Sequence, residues 1–338
     1  MTSYRRGQLV SQDFYRDIVS PTLDRVHPDL PHAAALLGRG SEVQGFDDPM
    51  STDHFFTARV QVVLAGEAYR QHGPSIEAAL RSAIPDTFAG LQTDIQVQSI
   101  ADLVGSLVGQ GVGLEAAPSA ADWLTLNENN LRMLTVGPVH HDDIGLQQIR
   151  DRLAYYPHDV WLYLMIAAWW RVHPEANQVG RTGYVGDELG SAVIASRIVG
   201  DLMHLCFLLE RQYEPYPKWF GTAFARLKCA PTMIPLLTAV QQATNWQERQ
   251  DALLECYREV AAMHERLAIT KPVTTEIGGA WGRPFLLRWG DFPGALRDAM
   301  TDPEAIALAD RWPVGGIDRV RDVLWSPRQR PQLLALVG

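Results

Sequence analysis

Apolar residues recur at helical spacing from the start of the chain. Leu9, Phe14, Ile18, Val19 and Leu23 share one face over residues 8–26, which predicts a helix with one buried side. Residues 33–37 form a short apolar run that reads as a strand, stopped by Gly38, where glycine permits a positive-φ turn. A second strand is predicted over residues 55–65, ending in Val60-Gln61-Val62-Val63-Leu64, and a helix over residues 67–84, closed by Pro85. Residues 94–100 alternate, with Ile95 and Val97 on one face, and predict a third strand followed by a helix over 101–108. Helices interleaved with short strands make an α/β (α+β) unit with a mixed sheet.

Beyond Trp123 the strand signals fade. Long helical patterns cover residues 146–156, 159–173, 188–211, 217–227 and 247–267, with a glycine-rich interruption at 180–190. The second half therefore reads as an all-α helical bundle. The expected division is an amino-terminal α/β domain over 1–130 and a helical domain over 131–338. Trp161, Tyr163, Trp169 and Trp170 are expected in the core of a buried helix.

Composition narrows the functional classes. The 338 residues carry a formal net charge of −9, which excludes a generic nucleic-acid binder because no basic excess is present to displace counterions. A local basic pocket for a small anion remains open. The three cysteines, Cys206, Cys229 and Cys256, lack metal-ligand or disulfide spacing and are expected as buried packing residues in a reducing, cytoplasmic setting. The most apolar run, residues 160–170, is about half the ~20 residues of a membrane span, so no membrane is expected.

Several residues carry candidate chemistry. Gly40 and Ser41 can present backbone N–H groups and a hydroxyl to a phosphate if they open a helix; otherwise they make an ordinary capped turn. Asp47, Asp48 and Asp53, with Glu42 nearby, can form a carboxylate metal site or a solvated acidic loop. Arg59 can reach a phosphate or stand as a solvated strand-face cation. His140-His141-Asp142-Asp143 is expected as a polar loop opening the following helix, since consecutive side chains seldom converge on one ion. Asp187 is placed to cap the helix beginning at Glu188. Arg197 and Asp201, spaced i, i+4, form an internal salt bridge or contact a ligand. The sequence has no dinucleotide fingerprint, P-loop, zinc-protease helix or nucleophile elbow.

The chain resembles bacterial proteins that join a nucleotidyltransferase-like domain to the domain of unknown function 4037. In the first half the resemblance is carried by Gly38-Arg39-Gly40-Ser41-Glu42, Gly45-Phe46-Asp47-Asp48 and Ser51-Thr52-Asp53-His54. In the second it rests on Tyr156-Pro157-His158-Asp159-Val160-Trp161-Leu162-Tyr163, Gly180-Arg181, Gly186-Asp187-Glu188-Leu189-Gly190-Ser191 and Tyr213-Glu214-Pro215-Tyr216-Pro217-Lys218-Trp219-Phe220-Gly221.

The resemblance implies transfer of a nucleotidyl group from a nucleoside triphosphate to a small hydroxyl or amino acceptor. Gly40 and Ser41 would hold phosphate, Asp53 and Asp48 would hold Mg²⁺, and Arg59, Arg181 and Lys218 would neutralise charge. Asp187 or Glu188 would be the acceptor base, with the helical half closing over the nucleotide. The family pattern looks like Asp-His-Asp where this chain has Asp53-His54-Phe55, and a phenyl ring cannot coordinate Mg²⁺. The third acid of such sites would be Asp94, with Gln96 at the neighbouring inward position. The rival expectation is thus a degenerate or repurposed fold that binds a nucleotide or biosynthetic intermediate without metal.

Overall fold

The computed structural model describes residues 4–53, 56–279, 282–286, 290–311, 313, 315–319 and 334. Among these, the chain forms two compact units with mixed α+β content. The first holds the described residues of Met1–Ser119 and Leu126–Ala154; the second holds those of Ala120–Thr125, Tyr155–Arg321 and Leu333–Gly338. Elements are numbered in chain order.

The first unit begins with α1 (Gly7–Phe14) and α2 (Ser20–Val26), joined by a π-helical turn at Tyr15–Val19. The predicted helix is therefore one run with an extra residue inserted midway, which re-aims the side chains around Tyr15. Then follow β1 (Ala33–Ala35), β2 (Ala58–Leu64), α3 (Gly66–Ala83), β3 (Thr87–Phe88), β4 (Leu91–Ser99) and α4 (Ile100–Val108). After α5 (Ala120–Leu124), which belongs to the second unit, come α6 (Glu128–Thr135), β5 (Val139–Asp142) and α7 (Leu146–Arg152).

The sheet order is β3-β4-β2-β1-β5. β2 and β4 are parallel, whereas β1 is antiparallel to both β2 and β5. Ala58, Val60, Val62 and Leu64 face a core built with Val10, Phe14, Ile76, Leu80, Ile95 and Val97. Alternation along β2 and β4 thus commits one face to α1 and α3 and leaves Arg59, Gln61, Asp94 and Gln96 to the other. Gln96 is exposed, so the inward position on β4 belongs to Ile95 and Val97.

The segment 140–143 is a correction. His140, His141 and Asp142 lie in a strand paired with β1 rather than in a loop, and the register slips between Ala34 and Ala35. Polar side chains hid the strand, because its pairing and not its hydrophobicity defines it. Asp142 also accepts N–H bonds from Leu146 at 3.0 Å and Gln147 at 2.8 Å, fixing the start of α7.

The second unit is all helical apart from its connections: α5, α8 (His158–Tyr184), α9 (Glu188–Leu209), α10 (Pro217–Phe224), α11 (Ala230–Gln242), α12 (Trp246–Leu267), α13 (Phe292–Ala299) and α14 (Pro303–Ala309). α8 runs through Gly180 and Gly183, so the expected interruption shrinks to the short turn before Glu188. A Cβ on Gly183 would strike the Trp246 side chain, and one on Gly180 would strike Gln250 and Phe285. These glycines serve close helix packing instead of a loop.

Trp161, Tyr163 and Trp169 are buried as expected, with Trp169 stacked on Phe292 at 4.1 Å between ring centroids; Trp170 is half exposed. Asp159 accepts N–H bonds from Thr301 (2.6 Å) and Asp302, tying α8 to the start of α14. Among the described residues only α9 is long and apolar enough to cross a membrane, and most of its apolar window is buried inside this unit. Cys206, Cys229 and Cys256 are buried thiols.

Candidate functional site

Gly38–Gly45 is the loop that leads away from the end of β1. Gly38 and Gly40 adopt positive φ (88° and 134°), which L side chains avoid, and Gly40 leaves no room for a Cβ against the carboxylate of Glu42. The expected helix start is absent from this loop. Residues 41–45 form a turn closed by the Phe46 N–H donating to the Ser41 carbonyl at 2.8 Å. Gly40 and Ser41 therefore offer turn N–H groups without a helix dipole behind them.

Arg59, on the polar face of β2, reaches into this loop. Its guanidinium pairs with Glu42 at 3.1 Å and donates to the Arg39 carbonyl at 2.7 Å. The side chains are 15% and 6% exposed, so the pair is largely desolvated. Arg59 is thus neither a solvated cation nor an uncommitted one. Burial pushes the Glu42 carboxyl above its ordinary range, and Arg59 opposes that rise. Asp94 occupies the β4 position in register with Arg59.

The acids divide by role. Asp47 is buried, accepting from the Tyr4 hydroxyl and the Gly7 N–H, both at 2.8 Å, so it anchors the start of α1. Burial, followed by the bond to Asp47, drives the Tyr4 phenol well above its usual range. Asp48 is exposed and accepts from the Ser51 N–H at 3.0 Å, opening a 3-10 turn over Pro49–Asp53. Asp53 ends that turn and lies before β2. His54 and Phe55 lie outside the described residues, as does the Asp53 side chain.

In the second unit each predicted residue has a local partner. Asp187 caps α9, accepting from the Gly190 N–H at 2.8 Å as its spacing predicted. Glu188 pairs with Arg249 at 3.1 Å and accepts from the Trp246 N–H at 3.2 Å. The buried Arg249 also donates to Ser191 at 2.8 Å. Sequence reading missed Arg249, whose signal was only a lone charge inside an apolar helical face.

Arg181 lies exposed in the last turn of α8, 3.3 Å from the Asn177 side chain. Lys218 lies exposed in the first turn of α10, its ammonium 4.8 Å from the Trp219 ring centroid. Arg197 pairs with Glu175 of α8 at 3.0 Å, a partner that helix packing brings within reach. A further pair that spacing did not suggest is His204 with Glu214, at 3.0 Å.

Residues 123–220 match the family model of a domain of unknown function (DUF4037). The match runs from α5 into α10 and covers Arg181, Asp187, Glu188 and Lys218. Among solved structures, the chain is similar to a nucleotidyltransferase-like protein from Exiguobacterium sibiricum 255-15. The identity is 11% and the TM-score 0.32, over 82% of this chain and 97% of that one. No curated protein matches.

Proposed function

We propose that the protein binds a nucleotide or related phosphorylated small molecule, with the Gly38–Glu42 turn as the phosphate-receiving element. The observation that carries this reading is the Arg59–Glu42 pair beneath the turn. An arriving phosphate offers Arg59 anionic oxygens in place of the carboxylate oxygen it already holds. Glu42, whose burial favours its protonated form, is a partner that can be exchanged. Positive φ at Gly38 and Gly40 shapes the turn that carries the backbone N–H groups of Gly40 and Ser41.

Lys218, in the second unit, is a separate exposed cation that suits an anion. A cation in the first turn of a helix opposes the macrodipole, a placement that an incoming anion relieves. Arg181, exposed in the last turn of α8, is another cation in the matched span.

A second reading adds nucleotidyl transfer to a hydroxyl or amino acceptor, with Mg²⁺ on Asp48 and Asp53. It is favoured by the single turn Pro49–Asp53, which Asp48 opens and Asp53 ends. Asp187 or Glu188 would serve as the base only by giving up its present cap or ion pair. With Glu42 and Asp47 engaged in the fold, metal-independent binding is the stronger reading.

Calorimetric titration of ATP, GTP, CTP and UTP, with Mg²⁺ and again with EDTA, separates the two. Binding retained in EDTA and weakened by Ser41→Ala supports the first reading. Binding that needs Mg²⁺ and disappears in Asp53→Asn supports the second. No heat with any nucleotide overturns both.

A further inference from the structure

The cluster of His32, His141 and Asp143, away from the Gly38–Glu42 turn, carries an inference that the nucleotide reading does not use. We propose that these three side chains bind a first-row transition-metal dication, zinc being the ion to test. Their donor atoms all lie within 4.8 Å of one another. Ligand atoms around a four-coordinate zinc sit roughly 3.3 Å apart, given bonds of ~2.0–2.1 Å, so a modest side-chain adjustment closes the site. Two imidazoles and one carboxylate suit zinc or its neighbours better than Mg²⁺, which prefers oxygen alone.

The backbone assembles this set through two irregularities. Ala34 pairs with His141 but Ala35 pairs with Val139, so His140 is the extra residue of a bulge. A bulge re-aims side chains, and His140 and His141 consequently both stack on Tyr15, at 5.8 and 6.2 Å between centroids. Tyr15 itself begins the π-helical turn in the first helical run, a deviation that recurs at functional sites. The Asp143 N–H donates to the His32 carbonyl at 2.9 Å, which locks the two contributing segments together.

The hydrogen bonds also fix the state of His32. Its Nδ1 lies 3.0 Å from the Leu30 carbonyl, which can only accept, so Nδ1 carries the proton. Nε2 therefore holds a lone pair, now accepting from the Tyr15 hydroxyl at 3.0 Å. A metal-binding imidazole is oriented in the same way, donating its remote N–H to a carbonyl.

His141 donates from Nε2 to Asp143 at 2.6 Å and stacks on His32 at 4.4 Å. An ion lies in the plane of each ring that binds it, so His141 must turn out of this stack. Its side chain is 36% exposed and has room to do so. The ion then sits between His141 and Asp143 where the proton was, the neutral imidazole moving its one proton from Nε2 to Nδ1 and binding the ion through the Nε2 lone pair. Three protein ligands leave a fourth position for water or another small ligand.

The test uses the untagged full chain, stripped with a chelator and titrated with zinc chloride by calorimetry. Wild type is expected to bind one equivalent and to gain thermal stability, because a ligand of the native state stabilises it. His141→Ala and Asp143→Ala are expected to weaken binding by about tenfold or more, the scale seen when partners at metal sites are removed. His72→Ala, in the separate His27–His72 ring pair at 5.0 Å, is the control and should change nothing. Melting in EDTA identifies any variant that fails to fold, and cobalt absorption of wild type then serves as the independent readout of nitrogen and oxygen ligation. Absence of zinc binding, binding unmoved by both variants, or a cobalt spectrum lacking imidazole ligation overturns the proposal.

Discussion

Individual buried polar side chains set much of this protein's character, and His264 shows how. It lies on α12 with its ring edge-on to Trp169 and Phe292, at 6.0 and 4.9 Å between centroids. Nε2 meets the Thr270 hydroxyl at 3.2 Å. Burial pushes its pKa from 6.5 down to about 4. The folded state thus holds His264 neutral where the unfolded chain takes up a proton. Its contribution is complete above pH 6.5 and declines as pH falls toward 4. The loss is on the order of 3 kcal/mol, at about 1.4 kcal/mol per pKa unit. In urea melts at pH 7.5 and pH 5, His264→Phe should lose clearly less stability on acidification than wild type. Equal losses would show that His264 is not the titrating group.

At the same scale, legibility depended on whether a residue's partner was near in sequence. The Asp187 cap was legible because its N–H partner is three residues away. The Arg59–Glu42 and Glu188–Arg249 pairs were not, because each is made by tertiary packing across 17 and 61 positions.

At the scale of elements, strands and helices with strong periodicity were readable, and elements defined by pairing or by close approach were not. β2, β4, α3 and α4 follow the alternation and spacing of their apolar residues. β5 was missed because Val139-His140-His141-Asp142 has no apolar alternation to reveal it. α8 was cut short because Pro174, Gly180 and Gly183 look like breakers, although Gly183 exists to admit Trp246.

The start of α9 offers a test that separates an element's needs from a site's. Asp187→Ala removes the cap and should cost about 1 kcal/mol, whereas Asp187→Ser should recover most of that because serine caps as well as aspartate. Serine cannot replace a carboxylate as a general base. If Asp187 only caps, nucleotide binding and any turnover follow stability and return in the serine variant. Turnover lost in both variants, with stability restored in the second, would make the carboxylate chemical.

For the whole molecule, each unit has its own core: one built on β2 and β4 with α1 and α3, the other on α8, α9 and α12. Cores of this kind commonly unfold as separate cooperative units. The described tryptophans (Trp123, Trp161, Trp169, Trp170, Trp219 and Trp246) all belong to the second unit, so their fluorescence reports on it. Leu202 and Leu64 are both fully buried, one in each core. Truncating either to alanine should cost about 2–5 kcal/mol locally. Leu202→Ala is therefore expected to move the fluorescence midpoint in urea to lower concentration. Leu64→Ala should move that midpoint less than Leu202→Ala does, while shifting part of the far-ultraviolet dichroism. Coincident shifts of both probes in both variants would mean that the chain unfolds as one cooperative body, and that the division into units describes packing density without thermodynamic independence.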